Sequence, residues 1–216
     1  HSCPLVGGDT TRGPLNICIT VFGEVPTGQA LMRSGAKPGD ELWVSGNLGD
    51  ARLALEAFRG SLSLTQDAFD ATRARMEQPT PRVALGQALR GIATSAIDIS
   101  DGLLGDLGHV LRASGVGATI NTQIALNLIA TKAYQICRNG VFGSENVLDF
   151  VLAGGDDYEI AFTAPAQQHA AVLAAAHSCQ TRVTHIGHVT AASGVQLLDA
   201  NSQVLPNRYT SFDHFA

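Results

Sequence analysis

The sequence predicts a layered α/β domain. Three observations lead there. Short β-branched runs alternate with segments of helical periodicity. The chain has 216 residues, 45% hydrophobic and 15% charged, enough apolar material for a sizeable packed core. Its acidic residues gather in turns flanked by Gly or Ser at the ends of apolar strands, not on solvated helix faces.

Each element follows from pattern. Residues 15 to 23 (LNICITVFG) read as a strand. Pro26 through Gly39 is a Gly- and Pro-rich connection and marks a boundary. Glu41 to Ser45 reads as a short strand. Asn47 to Asp50 leads from it into a helix with Ala51, Leu55 and Phe58 on one face. Thr65 can cap a second helix ending near Gln78, and Pro79-Thr80-Pro81 breaks it, with Pro81 suited to the first turn of the next. A strand–turn–helix unit follows at Ala96 to Ser114. Val116 to Asn121 reads as a strand and Leu126 to Arg138 as a helix. Ile160 to Thr163 continues a strand, Pro165 to His177 is an Ala-rich helix, and Val183 to Val189 and Val195 to Leu198 are late strands.

The chemistry concentrates in three acidic turns. In AIDISDGLLGDL, Asp98 and Ser100 stand at i and i+2, hence on one strand face. Asp101-Gly102 then turns into an amphipathic helix carrying Leu103, Leu104, Leu107, Val110 and Leu111. Free N–H groups at a helix start suit an anion, and hard oxygen ligands beside them suit Mg²⁺. A plain capping turn, with Ser100 or Asp101 as N-cap, explains the same residues. The other two turns are Gly7-Gly8-Asp9-Thr10 and Gly154-Gly155-Asp156-Asp157-Tyr158-Glu159. Carboxylates about 4 Å apart repel by roughly 4 kcal/mol at an effective dielectric near 20, so converging acids call for a cation. A calcium EF-hand is excluded: counting from Asp98, the loop has Leu103 where Gly is required and His109 where Glu is required. No GxxxxGK[ST] occurs, so phosphates would be held by metal and loop amides.

These motifs, in this order, resemble thiamine-monophosphate kinase, of the ATP-binding superfamily that includes aminoimidazole ribonucleotide synthetase. The resemblance runs over essentially the whole chain. Its most specific pieces are GGDTTRG from Gly7, RSGAKPGD from Arg33, AIDISDGL from Ala96 and LAGGDDYEIAFT from Leu152. It implies a mixed-sheet carboxy-terminal domain over 28–216, preceded at 1–27 by the last strand of an amino-terminal ATP-binding and dimerisation domain. It implies a chain begun part-way through the family's length, inactive alone and homodimeric when intact. By motif position, Asp9, Asp98 and Asp101 match Mg²⁺ ligands, and Gly8, Asp9, Arg33 and Ser100 match ATP contacts. Asp156 and Phe212 match contacts to the thiamine substrate. Asp156 stands where the family usually has Glu, one methylene longer, so the loop must move in or a water must bridge. Asp106, Asp157 and Lys37 are read as capping or salt-bridging residues. The implied reaction is Mg²⁺-assisted transfer of the ATP γ-phosphoryl group to thiamine monophosphate. The rival readings are another ATP-using enzyme of the superfamily, with an amide oxygen or selenide as acceptor, and a non-catalytic nucleotide-binding fragment.

Composition narrows the remainder. A net charge of −5 without a basic run argues against nucleic acid, and no apolar stretch reaches membrane-spanning length. Cys3, Cys18, Cys137 and Cys179 form no CxxC and no zinc spacing. With no targeting segment, they read as reduced, buried thiols of a cytoplasmic protein. His109, His185, His188 and His214 have no metal-motif partner and read as structural or surface residues.

Overall fold

The computed structural model describes residues 3–130 and 144–209. The chain divides into two units, His1–Ala30 and Leu31–Ala216.

In the first unit the expected strand at 15–23 does not form: the described residues 3–30 hold neither helix nor strand. Leu15, Ile17, Ile19 and Val21 keep the alternation of a strand, yet they are 93%, 78%, 81% and 73% exposed. A strand exists through its ladder partner, and the described residues of this unit supply none. A turn closes at its end, where Gln29 N–H donates to the Pro26 carbonyl at 3.0 Å.

The second unit is built on one sheet. Its strands are β1 (Asp40–Ser45), β2 (Ser95–Ile99), β3 (Gly117–Asn121), β4 (Glu159–Pro165), β5 (Val183–Thr190), β6 (Gly194–Leu198) and β7 (Val204–Leu205). They lie in the order β2-β4-β1-β5-β3-β6-β7. The β3–β6 pair is parallel and the other five pairs are antiparallel, so the sheet is mixed. Around it stand α1 (Asp50–Phe58), α2 (Gln66–Glu77), α3 (Val83–Ala88), α4 (Leu103–Ser114), α5 (Thr122–Ala125), α6 (Ser144–Ala153) and α7 (His169–Ser178).

Alternation along the central strands sorts the core onto two faces. Leu42 and Val44 of β1 join Ile97, Ile99 and Ala161 beneath α1, α4 and α6, against Leu53, Leu107, Val151 and Leu152. On the other face Trp43 stacks on Phe162, centroids 6.3 Å apart, and Leu85 and Leu89 around α3 and Val172, Ala175 and Ala176 of α7 cover them. Every residue of β1 is buried, as expected for a strand covered on both sides. A register shift in the β1–β5 pairing pairs Leu42 with Gly187 and Trp43 with His185. His185 and His188 then meet edge to face at 4.7 Å, and His185 and His169 pack on Trp43.

Several expectations are corrected. α1 buries Ala51, Leu53 and Ala54, while Phe58 is half exposed and meets Phe69 of α2 edge-on. Pro81 precedes α3, whose N-cap is Arg82. The region after β3 turns through the four-residue α5, whose start Asn121 caps through the Ile124 N–H at 3.0 Å, and leaves helical structure at Leu126. The rest of the helix expected to Arg138 lies outside the described residues, as do Cys137, Phe212 and His214. Cys3 and Cys18 are exposed and Cys179 is partly exposed, so none of the described thiols is a buried core residue. Among the described residues no helix is long and apolar enough to cross a membrane.

The start of α1 is anchored by carboxylates. Asp157, buried, accepts the Gly49 N–H on both oxygens at 3.0 Å, and Asp50, also buried, accepts the Ala130 N–H at 3.1 and 3.3 Å. Burial pushes the Asp50 carboxyl up to about 6, against the pull of the Ala130 N–H and Arg75. It drives Asp157 up as well, with Asp50 and Glu159 adding to the rise. A carboxyl raised in the folded state binds its proton there first, so stability falls as pH rises from about 4 to 6. For Asp50 the loss is roughly 3 kcal/mol at full shift. Asp50→Asn, whose amide oxygen can still accept the Ala130 N–H, is expected to flatten that slope partly and raise the melting temperature at pH 7. Thermal unfolding at pH 4.5 and 7 checks both.

Candidate active site

The site begins where β2 ends. Gly102 turns the chain from β2 into α4 with φ 114°, and a Cβ there would lie 2.9 Å from the carbonyl of Ala153. Only glycine meets both demands. Ser100 and Asp101 thus project at the start of α4. Their backbone N–H groups are not open to an anion: both donate to Asp106 Oδ2, at 2.9 and 3.0 Å. The expected capping function is therefore real, but Asp106 performs it from inside the first turn, where neither Ser100 nor Asp101 is the N-cap. Desolvation raises the Asp106 carboxyl, and the charges of Asp101 and Asp98 add to that rise.

The loop after α6 closes on this turn. Asp156 N–H donates to the Ser100 carbonyl at 2.9 Å, and Tyr158 N–H to that of Ile99 at 2.8 Å. Asp156 and Tyr158 have φ of 66° and 51°. Left-handed backbone suits Asp among non-glycine residues, and it is an outlier for Tyr. Desolvation raises the Tyr158 hydroxyl, helped by the charges of Asp156, Asp101 and Asp98. The loop comes this close because Gly155 has no side chain: a Cβ would stand 2.5 Å from the Ser100 carbonyl. Gly155→Ala is expected to push the loop off β2, costing about 1–3 kcal/mol. Weakened amide protection at Asp156 and Tyr158 in hydrogen exchange checks it.

Between these turns and α1 lies a cleft of about 170 Å³, lined by Ser100, Asp101, Gly155, Asp156, Arg52, Leu55 and Arg59. It joins three of the expected site residues: Ser100, Asp101 and Asp156. Asp98 stands one position before Ile99 on β2, exposed, at the edge of the sheet. Arg33 does not line the cleft. It is exposed, and its carbonyl faces Ser114 at the far end of α4, roughly 18 Å of helix away. Gly8 and Asp9 belong to the first unit, where Asp9 Oδ1 accepts the Thr10 N–H at 2.8 Å. Lys37 donates its backbone N–H to Asp40 at 3.0 Å. Arg52 and Arg59 were not singled out from sequence. On a helix whose buried face was read through Phe58, nothing marked them as cleft residues.

The donor chemistry fits a divalent cation in one specific way. Among the described residues no three His, Cys, Asp or Glu side chains converge to hold a metal. A small hard cation that keeps waters and shares phosphate oxygens needs only one or two carboxylates from the protein, and Asp98 and Asp101 are of that kind.

The family described as AIR synthase related protein, C-terminal domain, matches residues 37–199. The chain belongs to this family. Along its whole length it is also 39% identical, over 218 residues, to thiamine-monophosphate kinase of Escherichia coli (strain K12), and spans 65% of that relative. A crystal structure of thiamine-monophosphate kinase from Stenotrophomonas maltophilia K279a, 39% identical, superposes with a TM-score of 0.71 over 80% of this chain and 54% of the other. The structure of AaThiL complexed with AMPPCP and TMP, 27% identical, gives 0.68 over 86% of this chain and 54% of the other. The fold is thus the expected α/β architecture of this family, in a chain about two thirds the length of its relatives.

Proposed function

We propose that this chain is the larger part of an enzyme that transfers the γ-phosphoryl group of ATP to thiamine monophosphate, giving ADP and thiamine diphosphate. The observation that carries the reading is the cleft itself. Two motifs of the resemblance, AIDISDGL and GGDDYE, are joined by the Asp156–Ser100 hydrogen bond and open onto one cavity. The full-length similarity to thiamine-monophosphate kinases supports it.

The attacking group is a phosphate oxygen, already anionic at neutral pH, so no strong base is required, and none is offered by a histidine in the cleft. What must be overcome is repulsion between two anions, which makes positioning and charge neutralisation the work of the site. Mg²⁺ would supply that neutralisation. By motif position, Asp98 and Asp101 would be ligands to it, and Asp9 would be a further candidate ligand. Ser100 and Gly8 would contact the nucleotide, whereas Arg33, a helix length from the cleft, would have to act on a part of it distant from Ser100. Asp156, brought in by the left-handed loop, and Phe212 would contact the thiamine moiety. Residues up to 27 would belong to the ATP-binding and dimerisation domain of a cytoplasmic homodimer.

Turnover tests this directly. ADP release from Mg²⁺–ATP is measured with and without thiamine monophosphate, using the chain joined to the part of its relatives' length that it does not span. ADP release that depends on thiamine monophosphate is expected. A folded, ATP-binding protein with no such dependence would move the acceptor elsewhere in the superfamily.

A further inference from the structure

Two guanidinium groups stand on the α1 wall of the cleft. Arg52 and Arg59 both contact the same oxygen of Glu56, Oε1, at 2.8 and 3.2 Å. Glu56 is largely buried, its side chain 14% exposed, whereas Arg52 and Arg59 are 34% and 55% exposed. One carboxylate oxygen therefore gathers two cations and leaves further N–H donors on each for a ligand. The stem of Arg52 is seated: a Cβ on Gly154 would come within 2.8 Å of the Arg52 Cβ, so helix and loop touch there. Asp101, Asp156 and Ser100 line the same cleft.

Walls of opposite charge narrow the ligand. A bare phosphate would meet Asp101 and Asp156, and a bare cation would meet the two arginines. A small body carrying a fixed positive charge and a phosphomonoester satisfies both walls. The cleft, about 170 Å³, can seat the phosphate and part of such a body, and is too small to enclose a whole nucleotide. Guanidinium forks match phosphate oxygens in geometry as well as charge.

We propose that Arg52 and Arg59 are specificity residues of this cleft, which select a phosphorylated organic cation over its unphosphorylated counterpart. This rests on the functional reading above and sharpens it: the arginine pair reads the phosphate of the acceptor.

Calorimetric titration of the chain with thiamine monophosphate, thiamine, phosphocholine and choline tests the assignment. The variants are Arg52→Met, which keeps the apolar stem against Gly154, Arg59→Ala, the pair together, and Arg52→Lys/Arg59→Lys. The parent chain is expected to bind thiamine monophosphate at least about tenfold tighter than thiamine. Each single variant should weaken the monophosphate about tenfold and move thiamine less than twofold. The lysine pair should recover part of the loss, since charge remains and the fork does not. A preference for the monophosphate that survives in the double variant overturns the assignment, as does parallel weakening of both ligands. If phosphocholine is preferred over choline and that preference is lost with the arginines, while thiamine monophosphate fails to bind, the assignment stands and the kinase reading falls. Failure of every phosphorylated probe to bind overturns the assignment.

Discussion

Glu159→Ala is expected to cost about 3–5 kcal/mol, the largest loss from any single substitution considered for this chain. The Glu159 side chain is fully buried at the start of β4. It accepts from Ser45 Oγ and Arg82 Nε at 2.6 Å each, Arg82 Nη2 at 2.6 Å and Arg75 Nη2 at 2.7 Å. Hydrogen bonding to Glu159 is the main reason the Arg82 guanidinium is raised further above its ordinary value. Removing the carboxylate leaves two guanidiniums, 24% and 17% exposed, without their shared acceptor, although the charges of Asp50 and Asp157 still act on Arg75. For a unit of this size the melting temperature should fall by about 10 °C. Glu159→Gln keeps the volume and one acceptor and should lose less than half as much. If the alanine variant melts with the parent, the cluster contributes no stability.

Asp98→Asn is expected to leave stability within about 0.5 kcal/mol and reduce thiamine-monophosphate-dependent ADP formation by roughly 100- to 1000-fold. Asp98 is exposed on the edge strand, where the ordinary surface reading predicts no consequence of any kind. Its charge nevertheless reaches the neighbouring turns, since it contributes to raising both Asp106 and Tyr158. Under the proposed function, a ligand to substrate-borne Mg²⁺ would be lost when one carboxylate oxygen becomes an amide. Steady-state rates across Mg²⁺ concentration separate the two readings. Recovery of rate at high Mg²⁺ supports the ligand function, and unchanged kinetics would remove Asp98 from the site.

Local pattern carried much of the fold. β-Branched Ala96–Ile99 followed by Asp-Gly and an apolar stripe specified β2 and α4 almost to the residue, and the Ala-rich run after Pro165 specified α7. These elements are written in neighbouring residues. α6 is not among the expected elements, although Val147, Leu148, Val151 and Leu152 repeat at helical spacing. The two-residue β7 has too few positions to show any period.

The site was legible in part for a similar reason. Ser100, Asp101 and Asp156 sit in motifs that announce themselves. The residues that hold and complete them do not. Asp157 reads from sequence as a capping or salt-bridging residue, but its partner Gly49, 108 residues away, and those of Glu159, Ser45, Arg75 and Arg82, 77 to 114 residues away, are not visible there. Arg52 and Arg59 read as ordinary helix surface until the loop of Gly154 and Gly155 comes to lie beside them.

The most direct test of the central claim is a crystal structure with thiamine monophosphate and a non-hydrolysable ATP analogue. The chain is used joined to the part of its relatives' length that it does not span. The account predicts the thiamine compound in the cleft of Ser100, Asp101, Gly155 and Asp156, its phosphate within hydrogen-bond reach of Arg52 or Arg59. Thiamine monophosphate bound elsewhere, with that cleft holding only solvent, would contradict it.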